Sequence, residues 1–532
     1  MSGKRNILFV TTDQQRYDAL GCTGGTVAST PVVDGLAAQG LNFSRMYANN
    51  TVCMPARCTM LTGQYPRTHG VTSNGVPLPE DAPSIAAHLR DIGGYRTALV
   101  GKAHFEPAFD FQNKWEENKR WRRGDTGPWR GFDYSIQAAH VAAFQGRPVQ
   151  HYGRWVAEHH PEHLESFCEL LGAQPGGDTS APETKHNAIP REWYHTDWTA
   201  DRAIEWLDTL DAADPFFCWV SFPDPHHPWD PPESEMRRVN WRDLTLPAGH
   251  PGSPEAIRAV LEQRPAHWLG WYDRTFANAE GGPMYWYPGD LTHDQVREVN
   301  ARVHVMNELI DEATGRVLDH LAALGRLDDT DIIFTTDHGE MQGDFGFLFK
   351  GPWHVDALMH LPLVWRPAPA AGITPSVVGA PVSQIDLAPT FCAIAGIEPA
   401  DWMEGHALPV GDADAEARGF ERAITQWDSQ FPGYGMHFAS IVRDGFTCTV
   451  YDESTDGQPN GLEESWGDGV LTQCGVHYDG TEGELYDLTE DPHQWHNLWA
   501  DPAHRALRDD LVADLQASMP ERSKTLAVEA PA

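Results

Sequence analysis

The densest group of reactive side chains is Cys53-Met54-Pro55-Ala56-Arg57-Cys58-Thr59-Met60-Leu61-Thr62-Gly63-Gln64. A thiol that opens a helix, with Pro and then Arg in the first turn, sits where N–H dipoles and a guanidinium would acidify it. From the residues alone two readings stay open, a cysteine nucleophile or a buried cysteine, because no base or orienting partner lies nearby in the chain. Other candidates end apolar runs: Asp13-Gln14 after Asn6 to Thr12, Gly101-Lys102-Ala103-His104 after Tyr95 to Val100, His226-His227 after Phe216 to Phe222, and Asp337-His338 after Asp331 to Thr336. A short apolar run ending in an ionisable group is the form of a sheet strand that delivers a ligand at its carboxyl edge.

The elements that must hold these groups follow from the pattern between them. Thr30-Pro31 opens a helix that Gly40 stops; further helices are expected near Pro83 to Ile92, Thr199 to Leu210 and Thr292 to Leu324, and a strand over Leu361 to Trp365. Strands alternating with helices predict an α/β fold with a mostly parallel sheet sandwiched by helices, and the four polar strand ends should converge on one edge of it. Residues 105–195 and 225–290 interrupt the alternation with Trp, Tyr, Pro, His and Gly, as in Pro265 to Tyr272 and Met284 to Tyr287; they read as substrate walls or as packing between loops. After about residue 420 come short strand-like pieces (Ala439 to Val442, Phe446 to Tyr451, Glu484 to Leu488) and a helix near Arg505 to Met519. The expected division is a catalytic domain over 1–420 and a smaller C-terminal α+β domain with an antiparallel sheet over 421–532.

Composition limits the function. The 532 residues carry 39 Lys and Arg against 76 Asp and Glu, a net charge of −37, which disfavours a polyphosphate partner. Lys119-Arg120-Trp121-Arg122-Arg123 is the one basic cluster, either a solvated loop face paired with Glu116 and Glu117 or a funnel for anions. Eight scattered cysteines lack metal-finger spacing, and Cys218 in Phe-Phe-Cys-Trp-Val reads as a core residue. The N-terminus lacks the apolar stretch of a signal peptide and no window is long enough to span a bilayer, so the expectation is a cytoplasmic protein.

Cys-x-Pro-x-Arg followed by Thr-Gly resembles the motif of the type I sulfatases, in which a dedicated enzyme oxidises the cysteine to formylglycine. Asp13-Gln14, Gly101 to His104, Pro225 to Pro228, Asp337-His338-Gly339 and Lys350-Gly351 follow in that family's order, as do Ser383 to Thr390, Glu484 to Leu488, Asp491-Pro492 and Asn497-Leu498. The resemblance implies an alkaline-phosphatase-like fold and hydrolysis of aryl or alkyl sulfate monoesters. One hydroxyl of the hydrated aldehyde, acidified by a divalent cation, would attack sulfur and expel the alcohol; deprotonating the other would release sulfate and regenerate the aldehyde. It further implies that Asp13, Gln14, Asp337 and His338 hold the cation with the modified Cys53, and that Arg57 orients the diol. Lys102 and Lys350 would bind sulfate oxygens, His104 would act as base, and His226, helped by Lys350, would protonate the leaving oxygen.

Gln14 and His338 stand where many sulfatases have a second acid and an asparagine, so calcium, manganese or zinc all fit the resemblance. The same two residues are similar to the phosphonate monoester hydrolase branch of the superfamily, the alternative reading, which also handles phosphodiesters. Asn74 resembles a substrate-contacting asparagine of that branch, or is a turn residue before Gly75. Lys102 and His104 side with the sulfatases, and promiscuity toward phosphoesters and phosphonates is expected. The implied partners are a small sulfate ester and a formylglycine-generating enzyme, with no nucleic acid or membrane, and with room for a homo-oligomer.

Overall fold

A computed structural model describes residues 4–108, 114–168, 170, 175–278, 281–283, 286–429, 435–455, 476–522, 526 and 529. Met284, Tyr285, Cys474 and most of the tail after Arg522 lie outside these.

Strand β1 (Asn6–Thr12) is buried along its whole length, because β-alternation sends its apolar residues to both faces of a covered sheet. Ile7 and Phe9 join a core with Trp219, Ile333 and Phe391, while Leu8 and Val10 join one with Val33, Ile310 and Val317. The remaining strands are β2 (Leu41–Tyr47), β3 (Arg96–Gly101), β4 (Tyr134–Gln137), β5 (Phe216–Ser221), β6 (Thr330–Thr336), β7 (His360–Arg366), β8 (Ser376–Val378) and β9 (Val382–Ser383). Their order is β8-β2-β7-β6-β1-β5-β3-β4, with β9 also paired to β2. Only β7 is antiparallel to its neighbours, so β1, β2, β3, β5 and β6 all end on the same edge.

The expected strands over Asn6 to Thr12, Phe216 to Phe222 and Asp331 to Thr336 form within a residue of their bounds, and the long helix runs His293–Ala323 behind a Thr292/Gln295 capping box. Strands β2 and β4 were not expected. β2 mixes Asn42, Ser44 and Arg45 among its apolar residues, and β4 hides inside the first insertion. A four-stranded antiparallel sheet follows: Arg422–Asp428, His437–Arg443, Phe446–Tyr451 and Gly483–Asp487. Its first strand is stitched to the segment after β2: Asn49 Nδ2 donates to the Ile424 carbonyl at 2.8 Å and Thr425 Oγ1 to the Ala48 carbonyl at 2.6 Å. That seam steadies the chain four residues before Cys53.

The second insertion is packing where it was richest in tryptophan. Trp268 and Trp271, on helix Ala266–Tyr272, are buried against Phe347 and Trp353. The basic cluster is a helix, Glu116–Arg123, rather than a loop. Lys119 and Arg123 pair with Glu116 as expected, but Arg120 is buried and Glu117 turns inward.

Candidate active site

Cys53 is the first residue of helix Cys53–Thr62, all of which is buried. The open N–H of Met54 is met by Asn74 Oδ1 at 3.0 Å, so this oxygen of Asn74 caps the helix that carries the cysteine. One turn on, Arg57 is fully buried and binds four elements together. Its Nε donates to Asp337 Oδ2 at 2.8 Å, Nη2 to Asp13 Oδ2 at 3.1 Å, and Nη1 to Ser221 Oγ at 2.8 Å and the Lys102 carbonyl at 3.0 Å. The ends of β1, β3, β5 and β6 are thus fixed to the helix by one guanidinium. Gly101 is required here: a Cβ would lie 1.9 Å from the Ser221 carbonyl oxygen, closing off the approach that lets Lys102 N donate to it at 2.8 Å.

With Oδ2 of both acids on Arg57, their other oxygens face inward. Ligand atoms of Asp13, Cys53, Asp337 and His338 all lie within 4.8 Å of one another, and all four residues are buried. His338 Nδ1 is 2.8 Å from the Gly339 carbonyl, which can only accept; Nδ1 therefore bears the hydrogen and Nε2 a lone pair. That lone pair faces Cys53 Sγ at 3.1 Å, Asp13 Oδ1 at 3.8 Å and Asp337 Oδ1 at 3.7 Å. Asp337 Oδ1 also accepts the amides of Gln14 at 3.0 Å and His338 at 2.9 Å, and the convergence of two carboxylates, an imidazole nitrogen and a sulfur in one buried place is a ligand set that fits a divalent metal. Gln14 is beside the cluster, with its Oε1 accepting from Lys350 Nζ at 2.6 Å and its Nε2 donating to Glu340.

Acidification of Cys53, expected from its helix position, does not occur. Burial, followed by the neighbouring Asp13 carboxylate, pushes the thiol up to about 12, outweighing Lys102 and Lys350. Asp13 moves the other way: burial alone would raise it, but Lys102 and Arg57 hold it well below the carboxylate range.

Lys102 pairs with Asp13, and Lys350 Nζ lies 2.7 Å from His226 Nε2. His104 has a left-handed backbone (φ 57°), and its amide and those of Phe105 and Glu106 donate to the Glu117 carboxylate at 3.0 to 3.1 Å. Among the described residues neither ring nitrogen of His104 has a hydrogen-bond partner, although the residue is buried. Burial, then Lys102, holds that ring well below the usual imidazole range, hence neutral and able to accept a proton.

The edge of a parallel sheet, a helix-borne cysteine and a buried acid–imidazole cluster thus coincide, and the sulfatase family model matches residues 5–397. The chain belongs to the sulfatase family. It is 27% identical over 497 residues to the uncharacterized sulfatase YidJ of Escherichia coli strain K12, covering 93% of this chain and 82% of that one. It is 28% identical over 525 residues to the multifunctional alkaline phosphatase superfamily protein PehA of Trinickia caryophylli, covering 95% and 93%. Among solved structures, the phosphonate monoester hydrolase of Agrobacterium radiobacter superposes with a TM-score of 0.74 at 26% identity, covering 97% of this chain and 95% of that one. The fold is therefore alkaline-phosphatase-like.

For a sulfatase-family chain, the site contains groups that no motif announced. His140 from the first insertion reaches Lys102, Glu117 anchors the His104 loop, and Glu183 pairs with His227. The usable signal was positional: His140 follows strand β4, and a polar group after a strand on this edge is a candidate by the same rule that picked Asp13. Reading 105–195 as aperiodic hid that strand. Among the described residues no helix is long and apolar enough to cross a membrane.

Proposed function

We infer that the protein hydrolyses sulfate monoesters with a nucleophile made from Cys53. The observation that carries this is the seat of Cys53: its sulfur lies 3.1 Å from His338 Nε2 and 3.7 Å from Asp13 Oδ1, in the middle of the acid–imidazole cluster. A cysteine seated among the ligand atoms of a metal-fitting set is placed to be the precursor of a nucleophile bound to that metal. Oxidised to formylglycine by a maturation enzyme, position 53 would supply a geminal diol, one hydroxyl to attack sulfur and one to release sulfate. A divalent cation held by Asp13, Asp337 and His338, with Gln14 at its margin, would supply Lewis acidity and lower the barrier to losing the hydroxyl proton.

The chain's own residues do the rest. Arg57 keeps Asp13 and Asp337 oriented so that one oxygen of each faces the cluster. Lys102 and Lys350 bind non-bridging oxygens and offset charge that builds in the transition state. The His104 ring, with both nitrogens unpartnered, is the base that takes the second hydroxyl's proton. Lys350, hydrogen-bonded to His226, carries the proton for the departing alkoxide.

A second reading keeps the nucleophile and changes the ester to a phosphonate monoester. Gln14 and His338 favour it, as does the likeness to the Agrobacterium radiobacter enzyme; Lys102 and His104 favour sulfate. Mass spectrometry of the tryptic Cys53 peptide, from a host able to make the modification, should show the aldehyde or its hydrate, and kcat/KM should be higher for an aryl sulfate than for an aryl phosphonate monoester. A thiol at full occupancy with undiminished activity would overturn the mechanism, and the reverse ratio would overturn the choice of ester.

A further inference from the structure

Lys102 and Lys350 are the cations that would hold the anion, and each is gripped by an imidazole. Lys102 Nζ lies 2.9 Å from His140 Nε2 and also pairs with Asp13. Lys350 Nζ lies 2.7 Å from His226 Nε2 and 3.4 Å from His227 Nε2, and donates to Gln14 Oε1 at 2.6 Å. The three rings form one stack: His140 on His226 with centroids 3.7 Å apart and planes 10° apart, then His226 on His227 at 4.0 Å and 19°.

The carbonyls around the stack fix its tautomers. His140 Nδ1 is 3.1 Å from the Pro223 carbonyl, so Nδ1 bears the hydrogen and Nε2 turns a lone pair toward Lys102. His226 Nδ1 faces the His227 carbonyl and His227 Nδ1 faces the Glu183 carboxylate, which assigns the same tautomer to both. An ammonium has three N–H bonds. Asp13 and His140 take two from Lys102, and Gln14 and His226 take two from Lys350. One remains on Lys102, while the third on Lys350 faces the His227 lone pair at 3.4 Å, a contact long enough for an anion to displace.

We propose that His140 is a positioning residue for anion binding: it accepts one N–H of Lys102, stops that lysine from turning wholly onto Asp13, and through the ring stack ties Lys102 to Lys350 as a two-point cradle for a tetrahedral oxyanion. The cradle rests on the hydrolytic reading above for its choice of anion. Glu183 anchors the far end of the stack from a fully buried position. The arrangement is second-layer support of the kind that holds metal ligands and catalytic groups in place.

Three substitutions separate positioning from packing. His140→Phe keeps a flat ring on His226 and deletes the acceptor; His140→Asn carries an amide that stops short of Lys102; His140→Gln places a carbonyl oxygen near the lost Nε2. Each is assayed on whichever ester the wild type turns over faster, aryl sulfate or aryl phosphonate, so an error in the choice of ester appears in the wild type and leaves this comparison intact. The competing anion is inorganic sulfate, or phosphate where the phosphonate is the better substrate. His140→Phe and His140→Asn should lose about ten- to a hundredfold in kcat/KM, with KM and the Ki of the anion rising together, and His140→Gln should recover most of that loss. Metal content and Tm of the folded variants should match the wild type. Unchanged Ki in His140→Phe, or His140→Gln as poor as His140→Asn, would overturn the proposal; if the Phe variant does not fold, the Asn and Gln pair decides alone.

Discussion

Arg57 and Arg264, both buried among acids, do opposite things with their partners. Arg264 donates to Glu484 Oε2 at 3.0 Å and to the Gln494 carbonyl, and lies over Trp268 at 4.1 Å, Phe345 at 4.4 Å and Tyr486 at 4.9 Å. The carboxylate it meets also takes the hydroxyls of Tyr451 at 2.7 Å and Tyr486 at 2.6 Å. That carboxylate is saturated and roofed by aromatic rings, with no lone pair turned toward a ligand. Arg57 engages one oxygen from each of two acids; the other two, although Asp337 Oδ1 also takes the amides of Gln14 and His338, converge with a histidine lone pair and a sulfur. A buried ion pair that is complete glues elements together; one that is incomplete by design of its geometry marks where a ligand must finish it.

Exchanging the expected effects at the two places would break that distinction. Cys53→Ala, measured as kcat/KM on an aryl sulfate with folding checked by circular dichroism, should lose at least about 10³-fold, the scale of a missing nucleophile. Arg264→Met should lose about 3 kcal/mol of stability in urea melts, because Glu484 is left buried without its counter-charge, while the folded fraction keeps its kcat/KM.

The same distinction explains what could be read from the sequence. The strand ends at Asp13, Lys102, His226 and Asp337 were legible because a buried parallel strand is a run of apolar residues and the groups after it stand out. The convergence of these ends on one edge followed from alternation alone, and the structure bears it out. Glu117 and Glu183 were illegible because insertions place them through tertiary routes, and His140 was missed because the strand before it was not recognised. The state of Cys53 was misread for a related reason: a helix N-terminus and an arginine are local and visible, whereas burial beside Asp13 depends on β1, forty residues away in the chain. The aromatic insertion at Pro265 to Tyr272 was legible as aromatic, but its packing against Trp353 depended on a partner about eighty positions on.

If the inward-facing oxygens await a cation, chelation should destabilise the wild type reversibly. Returning a divalent ion at a hundredfold excess over its Kd should restore about 2.7 kcal/mol, and Asp13→Asn should blunt that response while Arg264→Met leaves it in place. A second saturated carboxylate sharpens the contrast through pH. Asp428 is held at about 2: burial would raise it, but His437, Arg67 and Arg522 together outweigh that. A depressed acid contributes stability above its unfolded value, near 3.9, and loses it as pH falls toward 2. The difference between wild type and Asp428→Asn in urea melts should be on the order of 2 kcal/mol at pH 6 and roughly half that at pH 3.

The smallest effect belongs to the basic helix Glu116–Arg123. Were it a funnel for anions, its charge would act at a distance, and neutralising Arg123 would lower kcat/KM and flatten its dependence on ionic strength. Its geometry argues against that role. Arg123 Nη2 is 3.0 Å from Glu116 and 3.4 Å from Asp125, its side chain is 53% exposed, and Lys119 also pairs with Glu116. Its charge is spent locally, in a chain whose net charge is −37. The helix serves the site through its other face, where Glu117 grips the three amides that set His104. Arg123→Gln should therefore change kcat/KM by less than about twofold between low and high salt, with no shift in Tm. Glu117→Gln, which keeps the shape and drops the charge that those amides hold, should lower kcat more than it raises KM, because the group it aims, His104, acts in the release step rather than in anion binding.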